Sequence, residues 1–92
     1  HGTWISYYQD GSIRIKSNWQ QGKELNQTRF MYHEDGQLMR RAEFKGDDFN
    51  GLREDFHENG QLKQIGSYQD GKPIGIWKVF DEEGNLTRSD DF

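Results

Sequence analysis

Gly51-Leu-Arg-Glu-Asp-Phe-His-Glu-Asn-Gly-Gln-Leu-Lys-Gln-Ile-Gly-Ser-Tyr68 is the clearest copy of a motif that recurs along the chain. An aromatic (Phe56) precedes a short polar turn closed by Gly60, an aliphatic (Leu62) follows two residues later, and a second aromatic (Tyr68) follows eight later. This is the pattern of one β-hairpin. The turn glycine recurs as Gly11, Gly36, Gly60 and Gly84, at spacings of 25, 24 and 24 residues. With it recur Tyr7, Tyr32, Phe56 and Phe80 four positions before, Ile13, Leu38, Leu62 and Leu86 two after, and Trp19, Phe44, Tyr68 and Phe92 eight after. A fixed period of this length marks a repeat array.

No window carries apolar residues at i, i+3, i+4 and i+7 long enough for a helix, and glycine turns interrupt the chain at the spacing of an antiparallel meander. Side-chain parity then selects the turn. A two-residue Asp-Gly turn pairs Tyr8 with Ile13, whereas a three-residue loop (Gln9, Asp10, Gly11) pairs Tyr7 with Ile13 and puts glycine at the left-handed position. The same holds for Glu34-Asp35-Gly36, Glu58-Asn59-Gly60 and Glu82-Glu83-Gly84. The expectation is an all-β, elongated antiparallel meander of four β-hairpin repeats, about eight strands in one open, twisted sheet. It forms a single array over 1–92, with repeats near 1–25, 26–49, 50–74 and 75–92.

Continued strand alternation assigns one apolar face to Thr3, Ile5, Tyr7, Ile13, Ile15, Ser17 and Trp19, and likewise in later copies. On that face Arg40 lays its stem along the rings. Gln20 to Asn26 links the first two repeats through Gly22, Gln27 stands where other copies have Gly2, Gly51 and Gly75, and Pro73 is expected in a loop. Hydrophobic residues are 30% of the chain and aromatic ones 14%, which predicts a thin, ring-rich core rather than a two-layer sandwich.

There is no cysteine, hence no disulfide framework. The chain begins at His1 in phase with a repeat, and the expectation is a processed or trimmed fragment, so that any signal peptide or lipid anchor lies outside it. Formal charge is −4. Residues 1–46 carry seven basic and five acidic side chains, +2, and residues 47–92 five basic and eleven acidic, −6. The acidity argues against nucleic acid.

These residues resemble the MORN-repeat family, and more closely its bacterial variant, the YwqK-type antitoxin repeats. The pattern is carried by Gly2, Trp4, Tyr7, Gly11, Ile13, Trp19 and Gly22, and again by Gly75, Trp77, Phe80, Gly84 and Leu86. Gln27 replaces a glycine, and Arg29 and Arg53 replace tryptophan. The resemblance implies hairpin sheets with roles in scaffolding, membrane-associated assembly and neutralisation of toxins. It implies a bacterial cytoplasmic or envelope protein.

Two sets of residues are candidates for partner binding. Trp4, Arg29, Arg53 and Trp77 form a series expected on the outer face, where they line a groove if the sheet curls; aromatic and arginine anchors are what protein-binding patches use. Against this, the tryptophans cover glycines and the arginines lie over rings. Glu82, Glu83, Asp90 and Asp91 form an acidic end suited to a basic partner. His33 and His57 occupy equivalent places, too far apart across strands to share a metal, and are expected to face solvent at the tips. No nucleophile–base pair, paired carboxylates or phosphate loop is visible.

The expected function is a non-catalytic protein-interaction module of antitoxin or immunity type, without cofactor or metal. Its partner is a protein, with a toxin in view. The first strand offers a route to self-association, and membranes are met only through segments outside this stretch. The alternative is a membrane- or envelope-associated scaffold.

Overall fold

In a computed structural model that describes residues 2–92, the chain forms eight strands: β1 (Gly2–Tyr7), β2 (Ile13–Gln20), β3 (Lys23–Tyr32), β4 (Leu38–Lys45), β5 (Asp48–Phe56), β6 (Leu62–Gln69), β7 (Lys72–Phe80) and β8 (Leu86–Asp91). They lie in one sheet in chain order, each antiparallel to the next. The sheet is a slab of 43 × 34 × 16 Å. The place of His1 in the first repeat lies outside the described residues.

The tips are built as the parity argument requires. Tyr7 pairs with Ile13, Tyr32 with Leu38, Phe56 with Leu62 and Phe80 with Leu86. In the first tip the Gly11 N–H donates to the Tyr8 carbonyl at 3.0 Å and the Tyr8 N–H to the Ser12 carbonyl at 2.8 Å. A side chain then locks each loop. Asp10, Asp35 and Asn59 accept the N–H of the residue after the glycine, each at 2.9 Å. The fourth tip has the longer Glu83 at that place, and Asp81 takes over, accepting the Asn85 and Glu83 N–H groups. The hydrogen bonds from Ser12, side chain first, hold the Asp10 carboxyl below the ordinary aspartate range; the Asn85 N–H does the same for Asp81.

The links between repeats are also tight hairpins rather than loops. Gln21-Gly22 and Asp70-Gly71 have positive φ at both residues (53° and 77°, 52° and 84°), the signature of a type I′ turn. Gly46-Asp47 has it at Gly46 alone (62°), as a type II′ turn requires. Pro73 accordingly lies in β7, not in a loop, opposite Tyr68. Gln69 and Lys72 close the two-residue turn, so the next pair is a non-hydrogen-bonded one and needs no N–H from the proline.

One feature overturns the single apolar face. Each return strand carries one extra residue just past its tip. Ser6 pairs with Ile15 but Tyr7 with Ile13, leaving Arg14 over; Met39, Lys63 and Thr87 are left over in the same way. A bulge of one residue reverses the parity beyond it. The tip pairs Tyr7–Ile13, Tyr32–Leu38, Phe56–Leu62 and Phe80–Leu86 therefore sit on the back face. Ile15, Ser17 and Trp19, with Ala42, Phe44, Gly66 and Tyr68, sit on the front face. So do Trp4, opposite Ser17, and Arg29, opposite Ala42.

Burial is shallow, as the composition implies. Among the described residues the buried hydrophobic side chains are Ala42 and Trp77. The hairpins are instead tied edge to edge. Tyr8 Oη donates to the Phe30 carbonyl at 3.0 Å, and His33 Nε2 and His57 Nε2 lie 3.0 and 2.9 Å from the carbonyls of Phe56 and Phe80. The two histidines are thus half-buried links to the following repeat, not solvent-facing side chains. They occupy carbonyls just past the last β4–β5 and β6–β7 pairs, Arg40–Asp55 and Gln64–Val79.

Gly36 has φ of 91°, and a methyl group added to it would meet only open space. Gly36→Ala will therefore lower stability through backbone strain alone, by about 1–2 kcal/mol. A urea midpoint unchanged from the parent would contradict the turn geometry.

Candidate functional site

The front face gathers most of the chemistry. A column of rings crosses it from β4 to the residue after β8. Phe44 and Phe49 have centroids 4.5 Å apart, Phe49 and Tyr68 stack at 4.6 Å, Tyr68 meets Trp77 edge-on at 4.9 Å, and Trp77 meets Phe92 at 6.1 Å. Each such pair contributes about 0.5–1.5 kcal/mol beyond the area it buries. The column stands on small residues. A methyl group on Gly66 would lie 2.0 Å from the Trp77 ring.

Arginines continue the column. The Arg29 guanidinium sits 4.0 Å above the Phe44 ring, and that of Arg53 sits 5.5 Å from Phe49. Arg53 also donates from Nη1 to Tyr68 Oη at 3.0 Å and from Nη2 to Asp55 Oδ2 at 3.0 Å. Asp55 is buried, and its other oxygen accepts from Arg40 Nε at 2.7 Å. Burial works against the Arg53 charge, but its bonds to Asp55 and Tyr68 outweigh that and raise its pKa. The head of Arg40 thus bridges to a carboxylate rather than standing free in water. Arg29 is held by the Gln27 side-chain oxygen, with the Gly46 carbonyl at 3.4 Å and Asp47 at 3.6 Å.

Trp4, Arg29, Arg53 and Trp77 share a face, but it is the ring-bearing one, because the tip bulges reverse the return strands and not β1, β3, β5 and β7. Their settings differ. Trp77 is 6% exposed and packed over Gly66, whereas Trp4 is 72% exposed, with Ser17 opposite on β2. They lie six strands apart, roughly 29 Å. Both arginines lie over rings. The acidic quartet is not one patch. Glu82 and Glu83 are in the β7–β8 tip, while Asp90 faces front beside Trp77 and Asp91 faces back beside Ile76. Arg88 Nε donates to Asp90 at 2.7 Å. β1 is open on one side, with Tyr7 57% exposed.

Sequence reasoning missed Phe49, Asp55 and the bridging role of Arg40. Phe49 shares its place with Glu24 and Pro73, opposite Trp19, Phe44 and Tyr68, so repetition carries no signal for it. Glu54, which breaks the back face, is matched by Arg41 opposite, with Nε at 3.0 Å. Among the described residues, no group of three or more His, Cys, Asp or Glu converges as a metal would need. Among the described residues no helix is long and apolar enough to cross a membrane.

The pattern of the family described as "MORN repeat variant" matches residues 1–21, 28–45, 49–70 and 73–92. The chain belongs to that family. Repeats of this kind are in general protein- and membrane-interaction modules. No curated protein matches the chain significantly. Among solved structures, the crystal structure of TarM is similar with TM-score 0.53 and 12% identity, over 97% of this chain and 17% of TarM. A structure of an S. aureus TarM mutant in complex with Fondaparinux, alpha-GlcNAc-glycerol and UDP gives 0.53 and 11%, over 96% and 17%. At these identities the likeness is one of fold, and this chain spans about a sixth of the TarM chain.

Gly66→Ala will drive a methyl group into the Trp77 indole and lower stability by about 1–3 kcal/mol. Its tryptophan emission will shift to the red as the indole is lifted toward water. A variant with the parent's emission and urea midpoint would show that Trp77 does not rest on this strand.

Proposed function

We propose that this member of the MORN repeat variant family is a non-catalytic protein-interaction module of the antitoxin or immunity type, with the front face as its binding surface. The observation that carries the reading is the continuous arginine–aromatic surface from Arg29 to Phe92 on a sheet one layer thick. Tryptophan, tyrosine and arginine dominate the energetics of protein interfaces. Here they are held in fixed positions by ring contacts and by Asp55, so little side-chain freedom is lost when a partner docks.

Trp4, Met31 and Phe92 add exposed apolar surface at 72%, 42% and 60%. Charge gives the face a direction. The first half of the chain is +2 and the second −6, and Asp90 brings part of that acidity onto the front. Such polarity selects and orients a partner more than it adds affinity. The antitoxin or immunity class follows the bacterial repeats that the residues resemble.

The test is a titration of a partner captured from the source cell and identified. Trp4→Ala is expected to weaken that partner about 30-fold, the scale of an interface hot spot, with unfolding unchanged. Lysine at Glu82, Glu83, Asp90 and Asp91 is expected to slow its association. Parent-like binding by both variants would remove the reading. Flotation of the chain with anionic liposomes would replace it by an envelope scaffold.

A further inference from the structure

Between β2 and β5 the front face holds an open groove of about 530 Å³. Ala42, 1% exposed, and Phe44 form its floor, and Met31, 42% exposed, offers an apolar wall. Arg14, Arg29 and Arg40 also line it, and no carboxylate does. Arg14 is the bulge residue of the first hairpin, the kind of position that re-aims a side chain. The equivalent triplets, Met39, Arg53 and Gln64, then Lys63, Trp77 and Arg88, carry one and two cations, so the three-arginine corner is particular to the first two repeats.

The guanidinium groups have donors to spare. Each carries five N–H bonds. Among the described residues Arg14 has no hydrogen-bond or ion-pair partner, Arg40 engages Asp55 through Nε alone, and Arg29 uses Nε and Nη2. The nearby carboxylates are already placed. Asp55 is shared between Arg40 and Arg53, and Asp47 meets Arg29 only at 3.6 Å with a fully exposed side chain.

We propose that this groove docks a short acidic segment of a protein partner, with carboxylates on Arg14, Arg29 and Arg40 and an aromatic side chain against Met31 and Phe44. Three guanidinium groups with N–H donors to spare, Arg40 bound to Asp55 through Nε alone and Arg29 only loosely to Asp47, call for an anionic ligand, and the apolar wall and floor call for a ring beside it. The volume falls in the range of small ligand sites and suits two or three side chains, not a folded surface. A polyanion or an anionic membrane meets the −6 half of the same sheet as well as the groove, and the chain's net charge repels both. A short segment meets only the +2 half. The inference deepens the proposed function and rests on the front face being the partner's surface.

The probe is a capped octapeptide of four glutamates, two tryptophans and two glycines, titrated into the ¹⁵N-labelled chain. The side-chain Nε–H signals of Arg14, Arg29 and Arg40 are expected to move together, and those of Arg41 and Arg88 to stay. Arg14→Glu and Met31→Glu, both at exposed positions, are each expected to weaken the peptide at least tenfold with unfolding unchanged. The inference is overturned if the glutamine version of the peptide binds as well, if phosphate alone or anionic vesicles move the same signals more strongly, or if the peptide moves none of them. Failure here with Trp4→Ala still weakening the captured partner refutes the groove alone; parent-like capture by Trp4→Ala and by the charge-reversed chain refutes the front-face reading beneath it.

Discussion

One surplus residue per hairpin, at Arg14, Met39, Lys63 and Thr87, decides what each face of this sheet carries. Without it, the tip pairs would share one side with Trp19, Phe44 and Tyr68, and the Trp4, Arg29, Arg53 and Trp77 series would stand apart on the other. With it, the aliphatic–aromatic tip pairs go to the back, and the small residues Ser17, Ala42 and Gly66 and the rings of Trp19, Phe44 and Tyr68 join Trp4, Arg29, Arg53 and Trp77 at the front. Both faces of a thin sheet then hold some apolar cover, which a chain with 30% hydrophobic residues needs in order to fold without a second layer.

Stability in such a sheet comes from neighbour-to-neighbour terms, as expected for a repeat array. The ring column passes from β4 to Phe92 without a gap. At the tips, Tyr8, His33 and His57 each reach a carbonyl in the repeat that follows. The fourth member of that series, Asp81, carries no donor for such a link and turns back to hold its own loop. The same substitution logic appears on the front face, where Asp90 takes the place held by Ser17, Ala42 and Gly66. The last hairpin is thus chemically unlike the first three at both contact positions.

Much of this was legible in the sequence. The glycine beat, the three-residue loops and the tip pairs follow from residue classes repeated four times. The bulge was not, because Arg14, Met39, Lys63 and Thr87 share no chemistry and the strand pattern reads straight through them. That single omission placed Ile15, Ser17 and Trp19 with Tyr7, and put the Trp4 series on the wrong side. The site was legible as a series but not as an environment. Nothing in the linear order joins Arg40 to Asp55 and Arg53, or Phe49 to Tyr68, since these contacts cross strands at places where the copies differ.

The register of β3 against β4 is where the bulge can be seen or refuted. In a two-dimensional NOE spectrum, the bulge predicts a cross-strand contact between the backbones of Tyr32 and Leu38, together with side-chain contacts between Arg29 and the Phe44 ring. A Tyr32 backbone contact to Met39 instead, with Leu38 on the same side as Phe44, would mean an unbroken ladder and would undo the two-faced sheet on which the site depends.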